Sequence, residues 1–305
     1  MFENVHPWLI PLTFFYLLII PIGIIGNIIM IICFFINPRL RTPFHILLTL
    51  TCFADAIHVC GQILFVLQLL NNTYSIQSTC YFLNIFPIIG LTIAGPLLLQ
   101  IGLDRLFAVS FPFKYREIPD IKLQYTCLHL LFPIFYSSTI LYLGFQSRND
   151  ELVKCAIPTS LSGVSFKVFT LSSHAIYVSI LCAYFTTAII LKMHDASSRF
   201  KAAFKSIGVT IGIVLFGWSI TTVSNTFGYI ITSDPEISNL IQMYSGITVN
   251  IACSSNLFIF YIINPEYQIT IKSLFDGTFL KTPLYQDSGS ELQNLRKVTN
   301  NSQSV

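Results

Sequence analysis

Residues 9–36 read LIPLTFFYLLIIPIGIIGNIIMIICFFI, a run without a single charged side chain. A helix rises about 1.5 Å per residue and needs roughly 20 apolar residues to cross the hydrocarbon of a bilayer. This run is long enough. It shows none of the polar–apolar alternation of a membrane strand, and backbone groups in lipid must bond within their own segment, so a helix is the form open to it. Charge-free runs recur at 80–103, 123–146, 168–191, 207–232 and 237–264, and 44–70 holds one acid, Asp55. The pattern predicts an all-α membrane protein with seven spans, over about 9–36, 44–70, 80–108, 123–146, 168–192, 204–232 and 237–264.

The composition agrees. The 305 residues are 53% hydrophobic and 10% charged, with a mean hydropathy of +0.69. A soluble domain carries roughly 25% charged residues to solvate its surface. A soluble enzyme, a disordered chain, a nucleic-acid binder and a secreted disulfide scaffold are therefore excluded. The loops leave no room for a second domain. Residues 1–8 lack the basic start and small-residue cleavage site of a removed signal peptide, so the first span is expected to stay. Residues 276–305, rich in Ser, Asn and Gln, are expected to form a disordered cytoplasmic tail.

Lys and Arg set the expected orientation. With the N-terminus outside, only Arg148, Lys154 and Lys167 of the 17 basic residues lie at the outer face. The remainder, including Arg39, Arg41, Lys114, Arg116 and Lys122, face inward, as the positive-inside rule requires. This predicts a plasma-membrane protein with an extracellular N-terminus. The sequon Asn71-Asn72-Thr73 then falls in the first outer loop, making Asn71 a glycosylation candidate, although such a triplet also arises by chance.

Polar groups at bilayer depth are costly and mark function. Asn27, Asp55 and Asn256 each lie roughly 15–18 Å from the inner boundary, judged by helical rise. Three polar side chains on three spans at one depth suggest a shared network, with Gly26 allowing close approach. The alternative is that each amide separately bonds a neighbouring backbone. At the inner end of the third span stand Asp104 and Arg105, which taken alone could be an interfacial snorkelling pair. Six of the eight cysteines fall inside spans as small apolar fillers. The other two, Cys80 and Cys155, are at the outer face, where oxidation is favoured. They suggest one disulfide between the second outer loop and the third span, two free thiols being the alternative.

Together these features resemble the rhodopsin-like (class A) G-protein-coupled receptors. The resemblance rests on Gly26-Asn27, Ala54-Asp55, Cys80 with Cys155, Asp104-Arg105 with Pro112 seven residues on, and Asn256-Leu257-Phe258-Ile259-Phe260 in the seventh span. Within that superfamily, Leu103 to Pro112, the altered seventh-span motif and the short N-terminus resemble nematode serpentine chemoreceptors of the Srsx type. The likeness covers residues 9 to about 275. It implies a receptor that binds an extracellular ligand and activates a heterotrimeric G protein, with Asp104 and Arg105 as the switch and no cofactor. It also implies a short amphipathic eighth helix over about 265–275, opened by Asn264-Pro265.

Departures from the pattern carry information. Leu106 replaces the usual Tyr after Arg105, Leu257 replaces Pro, and Ile220 replaces the Pro usual after Trp218. Ala94 and Ala252 stand where relatives place polar ligands, which argues against a sodium site at Asp55. Pro87 replaces the acid of amine receptors, and the seventh span has no Lys for a retinal Schiff base. What remains is Asn84, Gln62, His174, Tyr177, Trp218, Asn225, Tyr229 and Tyr244, for each of which packing or helix–helix glue is the simpler reading and ligand contact the alternative. A neutral small molecule suits such groups, and a neuropeptide-type receptor is the alternative. A transporter would show paired, Gly/Pro-broken helices or several intramembrane charges. An enzyme would need a catalytic constellation; candidates such as His58 near Asp55 exist, but no His-x-x-x-His, Gly-x-Ser-x-Gly or His-Glu-x-x-His pattern occurs.

Overall fold

The computed structural model describes residues 7–193, 204, 208–209, 212–213, 215–217, 219–221, 223–224 and 235–276. The first two spans are α1 (Ile10–Ile36) and α2 (Pro43–Asn71). The third consists of α3 (Gln77–Leu83) and α4 (Ile85–Ser110), and a one-turn α5 (Pro112–Tyr115) leads to the fourth, α6 (Lys122–Gln146). The fifth is α7 (Gly163–Met193). Beyond residue 235 come α8 (Pro235–Ser254), α9 (Asn256–Ile263) and α10 (Pro265–Phe275). Among the described residues five helices are long and apolar enough to cross a membrane, and Met243–Ser254 with Asn256–Ile263 adds a sixth as a pair bent by 41°. The sixth span in sequence order, 204–232, lies largely outside the described residues, as do residues 1–6 of the N-terminus and 277–305 of the tail.

The bundle is sided in the manner lipid demands. Along α1 the exposed positions include Phe14, Leu18, Ile22, Ile25, Ile28, Ile32 and Phe35, a stripe at steps of three and four. Its buried side carries Thr13, Gly23, Gly26 and Asn27. The polar and small residues of α1 thus face inward beside Leu12, Tyr16, Ile20 and Met30, while its outward stripe is wholly apolar, the reverse of a soluble helix's solvent face. α2 packs against α1 on one side and α4 on the other. The α2–α4 crossing is close because Gly90 has no side chain: a Cβ there would stand 2.8 Å from the His58 backbone nitrogen.

Two spans predicted as continuous are interrupted. The third breaks at Asn84, because Pro87 has no N–H for the Leu83 carbonyl and its ring clashes with that group. The structure resumes with the Ile88 N–H on the Asn84 carbonyl at 2.8 Å. The seventh breaks at Ser255 with no proline present. The Ser255 N–H turns back to the Ala252 carbonyl at 3.1 Å. The fifth span differs in its start, Gly163 rather than residue 168, since Lys167 is exposed on the first turns and its long stem can reach the headgroups.

At one end of the bundle β1 (Ser75–Ile76) pairs antiparallel with β2 (Leu152–Val153), Ser75 opposite Val153. Beside this ribbon Cys80 and Cys155 are joined as a disulfide, with Cα atoms 5.4 Å apart. At the other end α10 is opened by Asn264, whose Oδ1 accepts from the Glu266 N–H at 3.1 Å, with Pro265 in the first turn. Tyr267 and Ile271 of α10 are buried while Ile269 and Phe275 are exposed, an amphipathic arrangement suited to a membrane surface. Asn37 ties this helix to the α1–α2 connection through Thr270 Oγ1 at 2.8 Å.

Candidate functional site

Midway along the bundle the structure brings Asn27, Asp55 and Asn256 together. The Asn256 amide donates one hydrogen to Asp55 Oδ2 at 2.8 Å and the other to Asn27 Oδ1 at 3.0 Å. The Asn27 amide in turn donates to the Gly23 carbonyl and to the Cys253 carbonyl, both at 2.9 Å. Each of these amides has two N–H donors, and all four are engaged. The three side chains are buried. The Cys253 carbonyl belongs to the last turn of α8, so a side chain from α1 enters the ladder where the seventh span bends.

At the end away from the disulfide, Asp104 is fully buried and Arg105 nearly so. Arg105 Nε donates to Asp104 Oδ2 at 2.9 Å, and its Nη2 is bonded to the same oxygen. The Arg105 guanidinium lies 4.5 Å over the Phe44 ring of α2. Two tyrosines complete the cluster. Tyr115 Oη accepts from Arg105 Nη2 at 2.7 Å and donates to Asp104 Oδ1 at 3.2 Å. Tyr125 of α6 donates to Asp104 Oδ1 at 3.0 Å. Burial raises Tyr115 above the ordinary phenol value, with Arg105 opposing and Asp104 adding to the shift, so the hydroxyl keeps the proton it donates.

Neither tyrosine stands out in the sequence. Position within the helix was the available signal for Tyr125: it is the fourth residue of α6, at the same membrane depth as Asp104. Tyr115 follows Pro112 in the short helix that folds back under α4, and that return is a tertiary feature.

The disulfide end is closed by the segment 149–160. Gln68 Oε1 accepts from the Cys155 N–H at 2.6 Å, and Gln77 donates to the Ser160 carbonyl at 2.7 Å while accepting from the Asn149 N–H at 2.9 Å. The Lys154 ammonium donates to Asn72 Oδ1 at 3.1 Å and the Thr73 carbonyl at 3.3 Å, and lies 4.0 Å over the Tyr74 ring. Its burial lowers the lysine below its usual value. Asn71, the last residue of α2, is exposed, and Asn72 takes a left-handed conformation at φ 47°.

Among the described residues, those expected to line a ligand site are not gathered in one place. Asn84 is buried against the disulfide, its amide donating to Ser160 Oγ at 2.9 Å and Cys155 Sγ at 3.2 Å. His174 is on the exposed side of α7, bonded to the Thr170 carbonyl of its own helix at 2.6 Å. The phase of α7 thus takes it out of the interior. Tyr177, one turn on, does face inward, its ring 3.7 Å from where a Gly95 Cβ would stand. Tyr244 of α8 donates to the Trp8 carbonyl at 2.5 Å. Gln62 is buried on α2. Trp218, Asn225 and Tyr229 lie outside the described residues.

The geometry is that of buried polar clusters in an apolar helical bundle, and comparison with known proteins says of which kind of bundle. The family described as serpentine type 7TM GPCR chemoreceptor Srsx matches residues 20–275. The chain belongs to this family. It is a seven-transmembrane chemoreceptor of the G-protein-coupled class, a multi-pass membrane protein and not an enzyme. Among curated proteins this Srsx chain is similar to the human olfactory receptor 1L3, 25% identical over 239 residues that span 70% of the chain and 72% of that receptor. It is also similar to the human olfactory receptor 4E2, 24% identical over 203 residues, or 58% of the chain and 63% of that receptor.

Proposed function

We propose that this Srsx receptor sits in the plasma membrane with its disulfide end outside, binds a neutral small molecule there, and activates a heterotrimeric G protein at the opposite end. The observation that carries the reading is the buried Asp104–Arg105 pair, which Tyr115 and Tyr125 hold from two other helices. A buried guanidinium bonded to its own neighbouring carboxylate is a group held back from a partner. Ligand binding would favour a state in which Arg105 leaves Asp104 and meets the G protein. Such a shift requires only that the ligand bind one of the two states more tightly. The Asn27–Asp55–Asn256 network lies between the two ends and would transmit the change through the bend of the seventh span. The distribution of Lys and Arg supports the orientation.

The test is nucleotide exchange on a purified heterotrimer with the receptor in lipid nanodiscs. Arg105→Ala should abolish exchange while surface expression is retained. Unchanged exchange in that variant would remove Arg105 from its role.

A further inference from the structure

Among the described residues, six buried side-chain polar atoms have no hydrogen-bond partner, and four of them belong to His58, Asn250 and Ser254. The other two, the hydroxyls of Tyr184 and Tyr267, lie toward the Arg105 end. A buried polar group left unpaired is costly, so each such atom needs an explanation. All three residues are at least nine-tenths buried, at 4%, 2% and 3% exposure.

They also share one region. His58 is one turn beyond Asp55 on α2, on a similar face and toward the disulfide. Ser254 and Asn250, one turn apart on α8, precede Asn256 of α9 and so also lie on the disulfide side of the network. By helical rise the three fall within about 9 Å of the Asp55 level. A Cβ at Gly23 would meet both Ser254 Oγ and, at 3.2 Å, Val59 Cγ1, which places Ser254 beside the residue next to His58.

The opposite side of the bundle is different. Thr92 and Ser137 are bonded at 2.7 Å, Tyr136 and Ser172 at 2.8 Å, and His129 and Gln100 at 2.7 Å, joining α4, α6 and α7. A ligand there would have to displace existing bonds. Against α2 and α8 it would find unused ones.

We propose that His58, Asn250 and Ser254 form the polar end of the ligand site, and that it takes a small neutral molecule bearing a hydroxyl group. The inference rests on the receptor reading and names the ligand's chemistry. Both hydrogens of the Asn250 amide are directed elsewhere, to the Gly246 carbonyl at 2.8 Å and toward Tyr16 Oη at 3.4 Å, leaving Oδ1 as an acceptor that needs a donor. Neutral imidazole has one donor and one acceptor nitrogen, and the Ser254 hydroxyl serves as either. An alcohol oxygen can both donate and accept. A ketone cannot supply the donor, and a hydrocarbon supplies nothing.

The probes are straight-chain alcohols, ketones and alkanes from butyl to decyl, and the readout is the melting temperature of the purified receptor in nanodiscs. Alcohols should raise it, ketones less, alkanes not at all. His58→Leu should weaken the alcohol effect at least tenfold in apparent affinity. Without ligand, His58→Leu and Ser254→Ala should keep or raise the melting temperature, since each removes an unpaired buried group. Three results would overturn the proposal: ligand-free variants melting clearly lower, as when structural water fills the site; an alcohol effect unchanged by His58→Leu; or no effect from any probe. Nucleotide exchange measured on the same preparation separates failure of this site from failure of the receptor reading.

Discussion

Asn27 Nδ2 donates to the Cys253 carbonyl at 2.9 Å, at the turn where the seventh span bends by 41°. The bend has no proline. In an uninterrupted helix that carbonyl would receive the Leu257 N–H, four residues on. Here an α1 side chain takes it, and α9 begins afresh at Asn256.

Leu257 is thus in the first turn of a new helix, where an N–H has no intrahelical partner. Leu257→Pro should cost under about 1 kcal/mol, against about 3 kcal/mol for proline in a helix interior. Thermal unfolding in detergent checks this, and a full interior penalty would show that the helix is continuous in energy if not in shape.

Asn27→Leu removes the group that bonds Gly23, Cys253 and Asn256 at once. It leaves the Cys253 carbonyl and one Asn256 hydrogen unpaired in a buried site. The expected destabilisation is on the order of 2–4 kcal/mol, about one to two unsatisfied groups' worth. The same unfolding measurement decides it, and a loss within error would mean that the network rearranges.

Tyr125→Phe deletes one donor to Asp104, and Tyr115→Phe deletes the hydroxyl that bridges Asp104 and Arg105. If these tyrosines hold the resting state, each loss of about 1–2 kcal/mol should raise basal nucleotide exchange roughly fivefold to thirtyfold. Exchange assayed without ligand reads this directly. A fall in basal exchange would assign the tyrosines to the active state instead.

Cys80→Ala opens the disulfide and should cost about 2–5 kcal/mol. Gln68→Ala should cost about 1–3 kcal/mol with the disulfide intact, because the buried Cys155 N–H loses its acceptor. Comparing both melts with and without reductant separates the two: reductant should lower the Gln68→Ala variant further and leave Cys80→Ala unmoved.

The exposed Asn71 tests orientation. If the disulfide end is extracellular, glycosidase treatment of receptor expressed in animal cells should shift its gel mobility, and Asn71→Gln should abolish that shift. A shift surviving in the variant would place the glycan elsewhere.

The sequence by itself determined the apolar spans, their helical form and the residues that break their pattern: Asp55, Asn27, Asn256 and Asp104-Arg105. Lipid makes this possible, because a backbone without water must satisfy its hydrogen bonds inside each segment, so every span is written locally. Tertiary structure alone decided which polar groups meet. That Tyr115 and Tyr125 reach Asp104, that Asn27 enters the seventh span's ladder, that His174 turns outward while His58 is buried without a partner among the described residues, all depend on the rotation of one helix against another. Rotation is set by close packing across helices, at contacts such as Gly90 against α2, between residues far apart in the chain.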